Sequence, residues 1–458
     1  MSEVEQQNLK KIPVIGWKTL IRWIPAGLKN ALPTSVKFVA EKGDLLQLNW
    51  TKRSKLILAN HPKHVQHILK TNQDNYSRRK VLLGDLGKFI GNGLFGSEGK
   101  LWEQQHKLIK PALHHKLVQD YIATIHAETQ LLLRAWKLKA EKKVLVDIEY
   151  DINELMLRIL IKTQFTSKAE EDYKLILKNF RTLLNENSTI KRSLQLAKNT
   201  IRKLLFLKPQ RSKKLIEALD FIDHLIASIR KTGKQDPASR GLALIILEDA
   251  LKTGLISEQQ VIDEIKTFFF GGFDTTASAL TWALYSNAKQ KDPSVKLHAE
   301  IAEVIGAKAP SFEDIPKMKY TKQFIQESLR LYPPVFLLVR ESVSDDNMNG
   351  YFVPKKTWTA INVYSLHRHP EFWENPEKFD PTRFEPENFK GKTFAYIPFG
   401  QGKRACIGQP LAMAELQMIL PMILQQFKLE PADTKEPIIT PDIIIKPKKP
   451  MMMRLTAR

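Results

Sequence analysis

The sequence predicts a mainly α protein with a minor β part, and three observations carry that reading. Proline is scarce in the middle of the chain. Only Pro209 and Pro237 fall between Pro111 and Pro293, whereas eighteen prolines lie from Pro293 to the end. Proline breaks helix interiors, so long helices belong to the middle, and loops, turns and short strands to the last third. Several stretches also carry apolar residues at helical spacing. Finally, the 34 residues from Ser257 to Gln290 contain no proline. As one helix they would span roughly 50 Å at 1.5 Å per residue.

Taken in order, Leu45 to Asn49 and Lys55 to Ala59 read as a strand pair. Pro62 opens a helix to about Leu69. Helical patterns follow at Trp102 to Lys116, Gln119 to Lys137, Ile152 to Thr163, Glu170 to Leu184 and Leu215 to Ile229. Ser257 is an N-cap with Gln260 completing a capping box, and Asp292-Pro293 marks the end of the long central helix. Helices continue at Lys296 to Val304, Lys319 to Leu331 and Leu411 to Gln426. No Gly/Ser linker, repeat or low-complexity tract interrupts the chain. One compact unit is therefore expected over residues 33–458, preceded by an extension over residues 1–32.

That extension carries no secretory signal. Its apolar stretch, Ile12 to Leu32, is broken by Pro13, Lys18, Arg22, Pro25 and Lys29. A spanning helix needs ~20 mostly apolar residues, so no transmembrane anchor is expected here. Trp17, Leu20, Ile21, Trp23 and Ile24 are expected to pack on the protein body or to touch a membrane surface. The default compartment is cytoplasmic.

Composition narrows the chemistry. Of 458 residues, 43% are apolar and 26% charged, ordinary values for a chain with a real core. The one cysteine, Cys406, excludes an intrachain disulfide, a cysteine-cluster zinc site and an iron–sulfur centre. It is either an inert buried thiol or a single reactive or ligating atom. A net charge of +22 favours acidic partners: nucleic acid, anionic lipid or an acidic protein. Nine cations and no acid lie between Ile190 and Leu215, interleaved with leucines. This basic segment reads as a solvated helix or as contact with anionic lipid.

Three segments carry chemistry. Cys406 sits in Phe399-Gly400-Gln401-Gly402-Lys403-Arg404-Ala405-Cys406-Ile407-Gly408-Gln409-Pro410, where glycines permit a tight, irregular backbone. Arg404 favours a thiolate, Pro410 can open the next helix, and backbone N–H groups can point at the sulfur. Such a thiolate suits a soft metal ligand such as haem iron. Gly400-Gln401-Gly402-Lys403 lacks the spacing of a phosphate loop. The second segment is Gly271-Gly272-Phe273-Asp274-Thr275-Thr276. Two glycines inside a helix cost about 1 kcal/mol each, which close helix packing or a neighbouring flat cofactor would explain. Thr275 can bond back to the carbonyl of Gly271, and Asp274 supplies a carboxylate for proton delivery. The third is Glu327 and Arg330, on their own an ordinary i,i+3 pair. His61, His64 and His67 share a helix face loosely but lack an acidic fourth ligand, so half-buried helix residues are expected rather than a metal site.

Phe399, Gly402, Arg404, Cys406 and Gly408 fit F-x-x-G-x-R-x-C-x-G, and on this motif the chain resembles the cytochrome P450 family, in particular its soluble, bacterial-type members. The resemblance implies the cytochrome P450 fold and a haem b whose iron takes Cys406 as proximal thiolate. It implies that Gly271, Gly272, Asp274 and Thr275 are the oxygen-activation motif, with Asp274 and Thr275 the acid–alcohol pair. It further implies that Glu327, Arg330 and Arg383 form a buried ionic cluster fixing the cysteine loop. Arg404 and Arg340 become candidates for the haem propionates. Trp102 stands where the family has W-x-x-x-R, but His106 replaces the arginine.

The implied reaction inserts one oxygen atom from O2 into a lipophilic substrate, by hydroxylation or epoxidation. Fatty acid, terpenoid and sterol-like molecules are the substrate classes. The chain has no dinucleotide fingerprint and cannot hold an iron–sulfur cluster. Electrons are thus expected from a separate ferredoxin or flavodoxin-type protein, docking near Lys107, Lys110, Lys116, Lys403 and Arg404. Leu82, Leu83, Leu86, Phe89, Phe269, Phe270, Phe273 and Val335 to Val339 are expected to line an apolar pocket. Two other readings stand beside this one: a peroxide-driven peroxygenase on the same scaffold, and a non-catalytic basic lipid- or nucleic-acid-binding protein. The motifs make nucleic acid an unexpected partner.

Overall fold

A computed structural model describes residues 8–49, 55–78, 85–113, 118–167, 172–186 and 212–458. Leu82, Leu83, Lys116 and most of the basic segment between Ile190 and Leu215 lie outside the described residues, as does the side chain of Leu86. The chain forms two compact units: residues 1–79, 137–147 and 278–458, and residues 80–136 and 148–277.

The first unit holds the β part. Its main sheet has six strands in the order Val14–Ile15, Leu45–Asn49, Lys55–Ala59, Trp358–Asn362, Leu337–Ser342 and Tyr76–Ser77. The expected pair Leu45–Asn49 and Lys55–Ala59 is antiparallel with Gln47 opposite Ile57. Trp358–Asn362 then joins in parallel, with Ile57 opposite Thr359. A parallel neighbour requires a long crossover, which is why residues 60–357 intervene. Ile57, Ala59, Val65, Ile361, Val363 and Leu366 form a buried cluster beneath this sheet. The helices Lys319–Leu331 and Gln409–Gln426 complete the unit's site-bearing frame.

The second unit is helical, and aromatic rings fill its core. Phe269 stacks on Phe165 at 5.1 Å and on Phe180 at 5.3 Å, and Phe273 meets Phe180 edge-on at 5.5 Å. Phe89, Phe269 and Phe273 are buried in this core. Apolar periodicity marks a side chain as inward-facing without saying whether it meets protein or ligand.

The expected 34-residue helix is interrupted. Ser257 and Gln260 form the anticipated capping box, and a helix runs Glu258–Gly272. Phe273 leaves helical geometry at φ −120°, and a second helix runs Asp274–Lys289. Thr275 Oγ1 donates to the Gly271 carbonyl at 2.9 Å. A side chain that bonds the i−4 carbonyl competes with the backbone ladder and bends a helix. Helix ends differ elsewhere by a few residues, as at Gly99–Ile109, whose continuation Lys110–Leu113 tightens into 3-10 geometry.

Candidate active site

In the first unit the cysteine loop folds back on itself. Cys406 N–H donates to the Phe399 carbonyl at 2.8 Å, and a short 3-10 turn spans Gly402–Arg404. Gly402 sits at φ +75°, and a Cβ there would run into the backbone carbonyl of Leu69. Only glycine satisfies both conditions. Lys403 N–H donates to Gln73 Oε1 at 2.9 Å, and its ammonium pairs with Asp74 at 2.9 Å. The loop is thus fastened to the segment 69–74 from one side.

The thiol has a distinctive environment. Cys406 keeps solvent-accessible surface, yet protein atoms crowd around its sulfur closely enough that burial pushes the thiol up. Both observations hold for a group facing a concave space inside the protein. The nearby backbone N–H groups of Gly408 and Gln409 pull the other way, as does the charge of Arg78. Arg78 thus joins Arg404, two residues from the thiol, as a cation near the cysteine. Arg78 is distant in the chain, and only the fold brings it near. A Cβ on Gly408 would lie 3.9 Å from the sulfur, so glycine leaves the thiol's flank open. A soft thiolate on a rigid loop fits a single bond to haem iron, and the metal would displace the thiol proton.

Behind the loop lies the ionic cluster. Glu327 and Arg330 are fully buried and share two hydrogen bonds, Nε to Oε2 at 2.7 Å and Nη2 to Oε1 at 2.8 Å. The other Arg330 donors reach the carbonyls of His367 at 3.0 Å, Pro376 at 2.7 Å and Lys378 at 3.1 Å. All five guanidinium donors are therefore used. Asp380 N–H also donates to Glu327 at 2.7 Å, and Arg383 Nε stands 3.5 Å from the same carboxylate. Burial raises the Glu327 carboxyl, while Arg330, the Asp380 N–H and Arg383 oppose that rise. The structure therefore brings Glu327, Arg330 and Arg383 together, with Arg383 the looser member.

His367, which no sequence pattern singled out, couples this cluster to the loop. Its Nδ1 donates to the Arg330 carbonyl at 3.1 Å, and its Nε2 accepts from Ile397 N–H at 2.9 Å, two residues before Phe399. That acceptor role fixes the tautomer. Burial lowers the imidazole to about 3, so it stays neutral. Tyr396 hydroxyl donates to the Gln326 carbonyl at 3.0 Å beside Glu327, tying the same strand of chain a second time.

Arg340 is buried on the strand Leu337–Ser342, with Nη1 donating to the Val339 carbonyl at 2.9 Å. Arg404 lies in the 3-10 turn with Cys406 two residues on. The histidines at 61, 64 and 67 separate: His67 bonds Asp346 at 2.8 Å, His61 faces Glu371 at 3.3 Å and His64 faces Asn349 at 3.1 Å. Among the described residues no group of three His, Cys, Asp or Glu side chains could hold a metal ion.

In the second unit the glycine pair divides its work. A Cβ on Gly272 would press on Leu160 at 2.7 Å, so this glycine permits close helix packing. A Cβ on Gly271 would meet nothing within 4 Å, so this one borders open space, as a cofactor-facing position requires. Asp274 is buried at the start of its helix, one residue before the Thr275 hydroxyl. Trp102 and His106 neighbour each other on the helix Gly99–Ile109, with ring centroids 4.9 Å apart. Two further carboxylates went unnoticed in the sequence. Asp263 accepts from Asn92 N–H at 2.6 Å and Glu264 from Leu94 N–H at 2.9 Å, fixing the loop after the helix Asp85–Ile90.

Comparison with known proteins agrees with these arrangements. A family model described as Cytochrome P450 matches residues 21–455. Cyclooctatin synthase of Streptomyces melanosporofaciens is 28% identical over 92% of this chain and 89% of its own. Cytochrome P450 4A10 of Mus musculus is 30% identical over 81% of this chain and 75% of its own. Among solved structures, the cytochrome P450DA heme domain superposes with a TM-score of 0.84 at 21% identity, covering 98% of both chains.

Proposed function

The chain belongs to the cytochrome P450 family, and we propose that it hydroxylates or epoxidises a lipophilic substrate with electrons from a separate redox protein. As a member it is a monooxygenase that binds haem through a cysteine thiolate. The single observation that carries the assignment to this chain's residues is the folded-back loop that presents Cys406, closed by its N–H on the Phe399 carbonyl at 2.8 Å and seated by Gly402 against the Leu69 carbonyl. That fastened loop keeps the direction of the sulfur fixed.

Haem bound through a thiolate supplies the reductive activation of O2. The chain's residues do the rest. Phe399, Gly402 and Gly408 shape the loop, and Arg78 adds positive charge to its field. Arg340, Arg404, Trp102 and His106 are the donors proposed for the propionates. Gly271 leaves room beside its helix, and the Thr275 hydroxyl, held to the Gly271 carbonyl, presents an oxygen that can accept and donate a proton. Asp274 supplies the neighbouring carboxylate for proton delivery. Glu327, Arg330 and Arg383, with His367, hold the cysteine loop.

The apolar run Val335 to Val339, half-buried except at the exposed Leu337, is the wall that supports a lipophilic substrate. Fatty acid, terpenoid and sterol-like molecules are the classes to test. For the electron donor, a ferredoxin or flavodoxin-type protein, Lys107 and Lys110 are exposed cations, whereas Lys403 already shares its charge with Asp74. A spin-shift titration with a lipophilic library tests the substrate. Turnover with reductase and NAD(P)H against turnover with peroxide tests the electron source. Product formed with peroxide alone would favour the peroxygenase reading.

A further inference from the structure

The helix Trp17–Lys29 has two apolar faces, and the fold uses only one. Leu20 is buried in a cluster with Phe38, Val39, Leu46 and Leu58, and Trp23 meets Phe38 edge-on at 5.2 Å. Trp17, Ile21 and Ile24 point elsewhere, with 57%, 51% and 42% of their surfaces exposed. Their spacing of four and three residues puts them in one stripe along the helix. Val14, on the short strand just before, is likewise 55% exposed.

Cations border that stripe. Lys18, Arg22 and Lys29 are exposed on the adjoining face, and Lys10, Lys11 and Lys37 are exposed close by in sequence. No acidic residue occurs from Gln6 to Ala40. Lys18 lies beside the Trp17 ring, 6.0 Å from its centroid.

We propose that the Trp17–Ile21–Ile24 face of this helix docks on an anionic phospholipid surface, with Lys18, Arg22 and Lys29 on the headgroups. An amphipathic helix with cations on its polar side and Trp and Ile on the other lies in the interfacial plane. An indole suits that depth because one edge is apolar and the other wet. Each cation adds attraction to an anionic leaflet. A second copy of the chain fits the face poorly, since a symmetric contact would set the same cations against each other. Among the described residues no helix is long and apolar enough to cross a membrane, so the contact is peripheral. This surface is independent of the oxygen chemistry.

The test is co-sedimentation of the haem-loaded full chain with phosphatidylcholine vesicles and with phosphatidylcholine–phosphatidylglycerol vesicles. The wild type should pellet with the anionic vesicles only, and high salt should release it. Trp17→Ser/Ile21→Ser/Ile24→Ser and Lys18→Glu/Arg22→Glu should each lose most of the pelleted fraction while keeping the wild-type CO difference spectrum. Brominated lipid should quench wild-type emission more than that of Trp17→Phe. Undiminished pelleting by the variants, equal pelleting with neutral vesicles, or a wild-type dimer that the triple substitution dissolves without any vesicle binding would each overturn the proposal. A failed CO spectrum in the wild type would instead strike the haem assignment, a separate result.

Discussion

Arg330 and Glu327 form a bidentate pair with both side chains fully buried, and the remaining Arg330 donors end on three backbone carbonyls between residues 367 and 378. One guanidinium therefore fixes a helix and a proline-rich loop at once. Through His367 the same network reaches Ile397, and from there the cysteine loop.

Removing Arg330 leaves a buried carboxylate without its partner, which costs about 3–5 kcal/mol. Whole proteins are stable by only about 5–15 kcal/mol. Arg330→Ala should thus yield little folded haem protein. Arg330→Lys, with three donors in place of five, should recover part of it. Thermal melts and the yield of CO-binding protein measure both. Wild-type stability in Arg330→Ala would contradict the network.

His367 should make the fold acid-sensitive. Its imidazole falls from 6.5 to about 3 on folding. Between those values the unfolded chain holds a proton that the folded chain does not, so stability drops as pH falls, by about 1.4 kcal/mol per unit. His64 and His298, each lowered to about 4, add to the slope. His367→Gln, which keeps an acceptor for Ile397, should lose about 2 kcal/mol less than wild type between pH 7 and pH 5. Urea melts at the two pH values decide it. An identical loss would mean that His367 is not held neutral.

Glu264 predicts the opposite trend. Burial raises its carboxyl from 4.5 to about 8, against the Leu94 N–H that bonds it. Across that window the folded chain retains a proton that the unfolded chain releases. Its contribution to stability therefore declines as pH rises, by at most about 1.4 kcal/mol per unit. Glu264→Gln should gain in melting temperature relative to wild type at pH 8 and gain less at pH 5. A pH-independent difference would rule out a protonated Glu264.

For the proposed proton-handling pair, Asp274→Asn and Thr275→Val should retain the haem spectrum yet lower reductase-driven product formation roughly 10²-fold, the scale of a lost acid–base group. Peroxide-driven turnover should fall much less. Equal losses along both routes would show that the pair shapes the site without relaying protons.

Much of this was legible in the sequence, and the residues show why. Leu45–Asn49, Lys55–Ala59 and Lys319–Leu331 appear with the bounds that local pattern implied, because each is short, apolar on one side and clearly terminated. Gly400 and Gly402 were legible because the tight loop before the thiol takes both through positive φ. The bend beside Phe273 was legible in the Thr275 back-bond to Gly271, but the full interruption into two helices was not. His367 and Arg78 were invisible for a different reason. Their partners, Ile397 and Cys406, lie far along the chain, and no local period records a contact that only folding makes.

The most direct test is the CO difference spectrum of the reduced protein, wild type against Cys406→Ser. Thiolate ligation by Cys406 predicts a red-shifted Soret band in the wild type and its disappearance in the variant. A wild-type protein without that band, or a variant that keeps it, would contradict the assignment of Cys406 as the iron ligand.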